Sequence, residues 1–491
     1  MNSLKVYLWE EEIGQVIYEA RTRRSYFLFN PKQKQHPEIA PILRPGGKLP
    51  DSIPMPSDDR RIYQGLPPFL ADSLPDSWGN RLFDTWVKEN RIPANKITPL
   101  YKLMFIGKRG MGALEFEPAA KELEYAGDID IKALYELSLS ILSERQALVE
   151  ELSDSMTMNS LMAVGTSAGG RQMKAVIAYN PETKEIRSGQ ISDLEGFKYF
   201  IIKFEDEFVP TSEIEMAYFE MARRAGITIQ ESELLNVEGI NHFMTLRFDR
   251  NHGEKIFTQT LAAIDPEVDS YEALFGMLKK LNLPYAALSE MYRRTVFNVM
   301  ANNTDDHNKN ISFMLRREGE WELAPAYDLT FIFNVYGSDK QAERCMSLYG
   351  KSSGITRDDL ICLAKENCIR NPEKIMEQVA EALKSFPYLA EKYRIADPWA
   401  GIIIKTLKDN LMAFGYMEDD RITEFIDEKG RKISNPSLRL NRRGIFEIRA
   451  DVDEKPIRKF VSPGQSLYAD LLRYQKGQLS EAKVLLSQLL S

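Results

Sequence analysis

The chain is 491 residues long, 43% hydrophobic and 28% charged, with 72 acidic against 64 basic side chains and a formal net charge of −8. This is the composition of a soluble globular protein with room for about three domains and a well-buried core. It does not mark a nucleic-acid binder, which needs Lys and Arg in local excess; no run of about 18 apolar residues predicts a membrane span and no charged-then-apolar leader is seen, so a cytoplasmic protein is expected.

Residues 1 to about 125 open on the alternating Leu4-Lys5-Val6-Tyr7-Leu8-Trp9 and then become Pro-rich, which predicts a small α+β domain. Gly107 to Gly112 lacks the glycine spacing of a dinucleotide fingerprint and reads as a turn. A helical stretch over 132–153 leads into Gly165-Thr166-Ser167-Ala168-Gly169-Gly170, followed by the strand-like Lys174-Ala175-Val176-Ile177-Ala178-Tyr179. Small residues let backbone N–H groups approach phosphate oxygens closely. The same glycines fit Gly-x-Ser-x-Gly, but a nucleophile elbow requires a helix after the turn, and the residues here read as a strand.

Next comes Phe197-Lys198-Tyr199-Phe200-Ile201-Ile202-Lys203-Phe204, a β-rich run from which Lys203 either reaches the α and β phosphates of a nucleotide or snorkels to solvent. Ser212-Glu213-Ile214-Glu215 has the pattern of a capping box opening a helix through Ala225. Glu215 is either that cap or an inward-facing partner for Lys203. The β-rich pattern over about 158–255, with one interrupting helix, suits a nucleotide-binding lobe; helical patterns dominate from about 256 to 410.

Within that second region a helical run over 291–300 ends in Asn303-Thr304-Asp305-Asp306-His307-Asn308-Lys309-Asn310. Two strand-like segments follow, Ile311-Ser312-Phe313-Met314-Leu315 and Trp321-Glu322-Leu323, around a Gly-containing turn, and then Ala326-Tyr327-Asp328. Phosphoryl transfer asks for positioning: an oxygen to orient the attacking hydroxyl and hard oxygen ligands for Mg²⁺. Asp305, Asn310 and, beyond the hairpin, Asp328 supply them, with ATP and Mg²⁺ as the expected cofactors. The plainer alternative is a polar loop that caps the preceding helix.

Gly350-Lys351-Ser352 mimics the end of a Walker A loop, but Cys345 stands where the earlier glycine is required, so an ordinary turn is expected. The three cysteines are too few and too oddly spaced for a disulfide framework, and Cys362 and Cys368 are expected to pack a helix. Four histidines with no His/Cys cluster argue against zinc. In the tail, about 411–491, a strand-like segment over 422–427 precedes a window over 429–443 that holds Lys429, Arg431, Lys432, Arg439, Arg442 and Arg443 without an acid. That window is either a solvated loop or a contact for DNA or substrate. An amphipathic helix over 477–490 closes the chain.

These motifs, in this order, resemble the HipA family of bacterial toxin–antitoxin serine/threonine kinases over most of the chain. Gly65-Leu66-Pro67-Pro68-Phe69-Leu70-Ala71-Asp72-Ser73-Leu74-Pro75-Asp76 and Phe105-Ile106-Gly107 to Gly112-Ala113-Leu114 resemble its leading domain. Ser167-x-x-Gly170-x-x-x-Lys174 resembles its glycine loop, Ile201-Ile202-Lys203 its ATP-lysine strand, and Arg247-Phe248-Asp249-Arg250 the segment after its nucleotide hinge. Thr304-Asp305-x-His307-x-Lys309-Asn310 and Tyr327-Asp328 resemble its catalytic and metal motifs, and Ile355-Thr356-Arg357-Asp358-Asp359 its C-lobe.

The resemblance implies an α+β, bilobal protein-kinase-like fold: an N-terminal domain over 1–125, a nucleotide-binding N-lobe over 126–255, a mostly helical catalytic C-lobe over 256–410 and an extension over 411–491 of unassigned role. It implies that Asp305 orients the substrate hydroxyl, that Asn310 and Asp328 bind Mg²⁺ and that Lys203 holds the phosphates. Gly165, Thr166, Ser167, Gly169, Gly170, Lys174, Phe248 and His307 would complete the nucleotide site, with Phe248 against adenine and Leu246 where a polar hinge residue is expected. Ser167, or its neighbour Thr166, matches the autophosphorylated residue of the loop. A phosphoserine of about −1.5 to −2 charge cannot lie where ATP phosphates must lie, so its modification would shut the site. The implied partners are a helix-turn-helix antitoxin of HipB type, through which DNA would be met, and a protein substrate in translation such as an aminoacyl-tRNA synthetase. A small-molecule kinase and a catalytically silent kinase-fold binding protein stand as the alternatives.

Overall fold

The computed structural model describes residues 3–30, 52–54, 63–120, 123, 127–143, 155–165, 172–190, 194–251, 254–317, 320–333, 343–417, 424–426, 429–440, 445–475 and 482–490. Strands β1 (Ser3–Leu8), β2 (Glu11–Glu19), β3 (Arg24–Phe29) and β4 (Ser52–Pro54) form an antiparallel sheet, and β5 (Leu114–Glu117) closes its other edge against β1. Leu4, Val6 and Leu8 point into the core while Lys5 is exposed, as the period of two dictates. Helices α1 (Pro68–Ala71), α2 (Ser77–Glu89) and α3 (Pro99–Ile106) lie between β4 and β5 in sequence, and α2 buries Trp78, Leu82, Phe83 and Trp86.

Helices α4 (Ile131–Leu142) and α5 (Ser155–Val164) lead to a second antiparallel sheet. The helix expected over 132–153 therefore ends near Leu142, and residues 144–154 lie outside the described residues. In that sheet β6 (Lys174–Tyr179), β7 (Ile186–Ser188), β8 (Lys198–Lys203), β9 (Ser232–Val237) and β10 (Ile240–Leu246) run in the order β7-β6-β8-β10-β9. The register sets Lys174 opposite Lys203, and Lys203 opposite Phe243. Helix α6 (Thr211–Arg224) joins β8 to β9.

Its start corrects the capping-box expectation. Pro210 is the N-cap, and the Glu205 carboxylate accepts from the N–H of Thr211 at 2.7 Å and of Ser212 at 2.9 Å. Those orphan donors are satisfied from upstream, which leaves Glu215 one turn into the helix and facing the sheet.

A short β-hairpin, β11 (Arg250–Asn251) and β12 (Glu254–Lys255), passes the chain to the helical region. There β13 (Phe257–Thr260) pairs with the hairpin β14 (Ser312–Leu315) and β15 (Trp321–Leu323), as the two apolar runs predicted. Around it lie α7 (Leu261–Ile264), α8 (Tyr271–Lys280), the long α9 (Tyr285–Met300), α10 (Arg357–Glu366), α11 (Pro372–Leu383), α12 (Phe386–Lys392) and α13 (Trp399–Ala413). Thr356 and Asp359 form a reciprocal capping box at the start of α10. Cys362 and Cys368 are exposed rather than packed: α10 buries Leu360, Leu363 and Ala364, which puts Cys362 on the opposite face, and Cys368 follows the helix end.

One hydrophobic cluster extends from Leu4 to Phe414 and joins both sheets to the helices. The tail has its own: β16 (Glu424–Ile426), β17 (Lys432–Leu440), β18 (Phe446–Val452) and β19 (Lys455–Val461) form a meander whose apolar face, with Ile433, Phe446 and Ile448, packs on α14 (Tyr468–Gln475) and α15 (Ala482–Leu490). The basic window thus falls largely on β17, with 441–443 outside the described residues. Among the described residues no helix is long and apolar enough to cross a membrane.

Candidate active site

Helix α9 ends at Met300 with its last carbonyls held from three directions. Tyr218 on α6 donates to the Ala301 carbonyl at 2.6 Å, Asn410 on α13 donates to that of Met300 at 3.0 Å, and the backbone N–H of Asn303 donates to that of Asn298 at 3.0 Å. Asn302, at φ +57°, reverses the chain in a conformation that Asn tolerates. The loop that follows is thereby fixed to both the sheet-side helix and the helical core.

In that loop two adjacent aspartates face opposite ways. Asp306 is buried and accepts from the Tyr271 hydroxyl at 2.5 Å, Arg344 at 2.8 Å, and the backbone N–H of Cys345 and Met346 at 3.0 and 3.2 Å. Asp305 turns outward with its side chain 54% exposed. The amide of Asn310 donates to the Asp305 carbonyl at 2.8 Å, which leaves the Asn310 oxygen as the atom able to ligate a cation. His307 lies 3.7 Å from the Asp305 carboxylate through Nε2, and its Nδ1 accepts from the Lys309 N–H at 3.2 Å. The Cys345 thiol is 3.8 Å from the same carboxylate, and burial followed by the Asp305 charge pushes it up to about 11.

The hairpin returns the chain to this loop. The Tyr327 hydroxyl donates to the Lys309 carbonyl at 2.7 Å and pairs with Ser312 Oγ at 2.6 Å, which ties the residue before Asp328 to the residue before Asn310. Asp328 sits at φ +53°, the left-handed region, at a cost of order 1 kcal/mol that the surrounding bonds impose on it. Its carboxylate meets Lys203 Nζ at 2.5 Å, and Lys203 also holds Glu215 of α6.

Lys203 is therefore a buried cation between the buried Glu215 and the partly exposed Asp328, with Lys174 beside it on β6. Burial alone would lower the Lys203 pKa, but the Asp328 and Glu215 charges outweigh it and hold the ammonium above its ordinary value. Burial works against the Asp328 anion too; Lys203 and Lys174 overcome it and hold that carboxyl down at about 2. Glu215, deeper, is pushed up by burial despite Lys203. Burial lowers Lys174, with Asp328 opposing. Asp328 is thus the firmly ionised carboxylate of the pair, the state a metal ligand requires.

Of the remaining residues singled out by sequence, Gly165 is buried at the end of α5, where a Cβ would meet Leu82 at 2.6 Å and the Leu161 carbonyl at 2.8 Å. Thr166, Ser167, Gly169 and Gly170 lie outside the described residues. Phe248 stacks on Tyr327 with ring centroids 5.7 Å apart. Gly350-Lys351-Ser352 is a turn, in which Lys351 bonds Asp359.

Sequence reasoning missed the groups that support this site. Asp249, fully buried, takes a two-point bond from Arg247 at 2.9 and 2.7 Å, one from Arg250 at 2.7 Å, and the Gly112 N–H at 2.7 Å, tying the N-terminal region to the segment after β10. These partners hold its carboxyl well below the ordinary carboxylate range against the cost of burial. Gly112, at φ +75°, has Thr258 Oγ1 2.6 Å from where a Cβ would stand, so the approach requires glycine. The alternating charges of Arg247-Phe248-Asp249-Arg250 were the one local signal for this node.

A lysine on a twisted antiparallel sheet, paired to a helix glutamate and set above a mostly helical lobe with an Asp/Asn loop and a following Asp, defines a protein-kinase-like α+β fold. Two family models match the chain, the HipA N-terminal domain over residues 4–117 and the HipA-like C-terminal domain over 166–386, and the chain belongs to the HipA family. It is 28% identical over 132 residues to a serine/threonine-protein kinase toxin HipA of Shewanella oneidensis, an alignment covering 25% of this chain and 30% of that relative's length. Its fold is similar to that of a solved chain from the Shewanella oneidensis MR-1 toxin–antitoxin complex of HipA, HipB and operator DNA, with a TM-score of 0.57 at 18% identity, covering 84% of this chain and 96% of that one.

Proposed function

We propose that the protein is an ATP- and Mg²⁺-dependent serine/threonine protein kinase acting as the toxin of a toxin–antitoxin pair in the cytoplasm. The observation that carries this reading is Lys203 held between Glu215 and Asp328, with Tyr327, the residue before Asp328, bonded to the loop that contains Asp305 and Asn310. The donor set fits a magnesium nucleotide: a carboxylate held ionised, an amide oxygen, and two lysines for phosphate. Mg·ATP would supply the transferable phosphoryl group and neutralise the charge that develops on it.

In this reading Asn310 and Asp328 hold the metal, Lys203 and Lys174 bind phosphate oxygens, and Glu215 keeps Lys203 in place. Asp305, turned outward, orients the acceptor hydroxyl and receives its proton. The glycine loop, Gly165 to Gly170, covers the phosphates, and phosphorylation of Ser167 or Thr166 ejects it. Phe248 on Tyr327 offers an aromatic face for adenine, and His307 lines the site. The chain divides into the N-terminal domain 1–125, the lobes 126–255 and 256–410, and the extension 411–491. Its partners are a helix-turn-helix antitoxin of HipB type, which mediates any DNA contact, and a protein substrate of the translation apparatus such as an aminoacyl-tRNA synthetase.

The test is intact-mass and peptide mapping of protein incubated with Mg·ATP, together with a phosphoproteomic comparison of cells expressing wild type or Asp305→Asn. Phosphate on Ser167 or Thr166 and Asp305-dependent phosphopeptides are expected. Fast turnover with one metabolite and no labelled protein overturns the protein-kinase reading. Absence of turnover and of a nucleotide thermal shift, identical in Asp305→Asn, overturns the enzyme altogether.

A further inference from the structure

Asp76 occupies the N-cap position of α2, where an Asp ordinarily accepts from its own helix, yet its side chain makes no such cap. Its carboxylate instead meets Lys309 Nζ at 2.7 Å, across 233 residues of sequence. Lys309 stands inside the loop that carries Asp305 and Asn310, and its own carbonyl takes the Tyr327 hydroxyl. Two residues after Asp76, the Trp78 indole donates to the Lys174 carbonyl at 3.1 Å. One turn of one helix thus touches the strand of Lys174 on one side and the loop of Asp305 on the other.

Neighbouring residues repeat the arrangement. Asp72 accepts from the hydroxyl of Thr260 at 2.7 Å and from its N–H at 3.0 Å, anchoring the region to β13. Arg109, buried, donates to the Met162 and Ala163 carbonyls at 2.7 and 3.0 Å, the last turn of α5 before the glycine loop. The segment between β4 and β5 therefore contacts both the strand of Lys174 and the loop of Asp305.

We infer that Asp76 is a positioning residue for phosphoryl transfer: from the N-terminal turn of α2 it holds Lys309, and with it the loop of Asp305 and Asn310, in register with the phosphate-binding strand. This rests on the kinase reading above. The Asp76–Lys309 pair is half-exposed, with side chains 27% and 44% accessible, so it contributes little to global stability. Its effect falls on geometry, to which phosphoryl transfer is steep.

The experiment uses full-length protein, Mg·ATP and dephosphorylated casein as acceptor, with ADP release as the signal. Asp76→Ala is expected to lower kcat by roughly 10- to 100-fold, to leave KM for ATP within about twofold, and to move Tm by no more than about 4 °C. Lys309→Ala on top of Asp76→Ala is expected to add less than about threefold, since both remove one contact. An unchanged kcat in Asp76→Ala, losses that multiply in the double variant, or a kcat loss matched by a collapse of Tm each overturns the assignment.

Hydrogen exchange separates the strap from the kinase reading. Asp76→Ala is expected to speed exchange over residues 303–311 whether or not the wild type transfers phosphate. If the wild type is inactive, the kinase reading fails alone, and unaltered exchange there overturns the strap.

Discussion

Replacing Lys203 with Met tests the electrostatics of the site without relying on activity. Lys203 is the shared cation of Glu215, 6% exposed, and Asp328, 32% exposed, and its removal leaves the buried Glu215 without its cation. Stranding a buried charge by deleting its partner costs about 3–5 kcal/mol, which at about 2.1 cal/mol/K per residue corresponds to a fall in Tm of roughly 3–6 °C for a cooperative unit of about 410 residues. The variant has a pH signature. Glu215 is already raised by burial, and without Lys203 it binds a proton more firmly when folded than when unfolded. Between the unfolded carboxyl value of about 4.3 and the raised folded value the native state holds the extra proton, so stability falls as pH rises. Lys203→Met is therefore expected to melt higher at pH 5 than at pH 8, with a steeper slope than wild type, and Lys203→Met/Glu215→Leu is expected to recover most of the loss. Differential scanning calorimetry across that range measures both. A Tm loss under about 2 °C with no pH slope refutes the reasoning.

Asp328→Ala is expected to abolish the Mg²⁺-dependent part of the ATP-induced thermal shift and to relieve growth inhibition on expression; a toxic variant contradicts the metal assignment. Asp306→Ala removes the acceptor of Tyr271, Arg344 and two backbone N–H groups, with an expected cost of about 3–5 kcal/mol in chemical denaturation. For Asp249→Asn a loss of similar size is expected, because Arg247 and Arg250 stay buried without their anion. Since Asp249 titrates well below the ordinary range when folded, its contribution is complete above about pH 4 and drains away as pH falls further, so the variant should show a flatter acid limb in Tm against pH.

The candidate catalytic set was legible because each residue sits in a short, ordered motif whose spacing carries its chemistry. Lys203 ends an apolar strand, Asp305 and Asn310 share one loop, and the two apolar runs before Asp328 could only form a returning hairpin. Glu215 was ambiguous in sequence, since a Ser-x-x-Glu pattern is also a cap. What decided it was Glu205, six residues before Thr211, which satisfies the helix start and frees Glu215 for Lys203. Cys362 was misread for a related reason: its chain neighbours are apolar, but burial in a helix follows the face and not the neighbours.

The fold family and the order of the motifs were readable along the chain, because both reside in local periodicity and fixed spacing. Which of two adjacent aspartates faces outward, the bonds by which Asp249 joins Gly112 to Arg247, and the turn of Asp76 away from its own helix to hold Lys309 appear only in the folded chain. Those contacts link groups from 137 to 233 residues apart in the case of Gly112 and Asp76. A side chain's local options are set by its neighbours along the chain, but the choice among them falls to the partner that packing brings within reach.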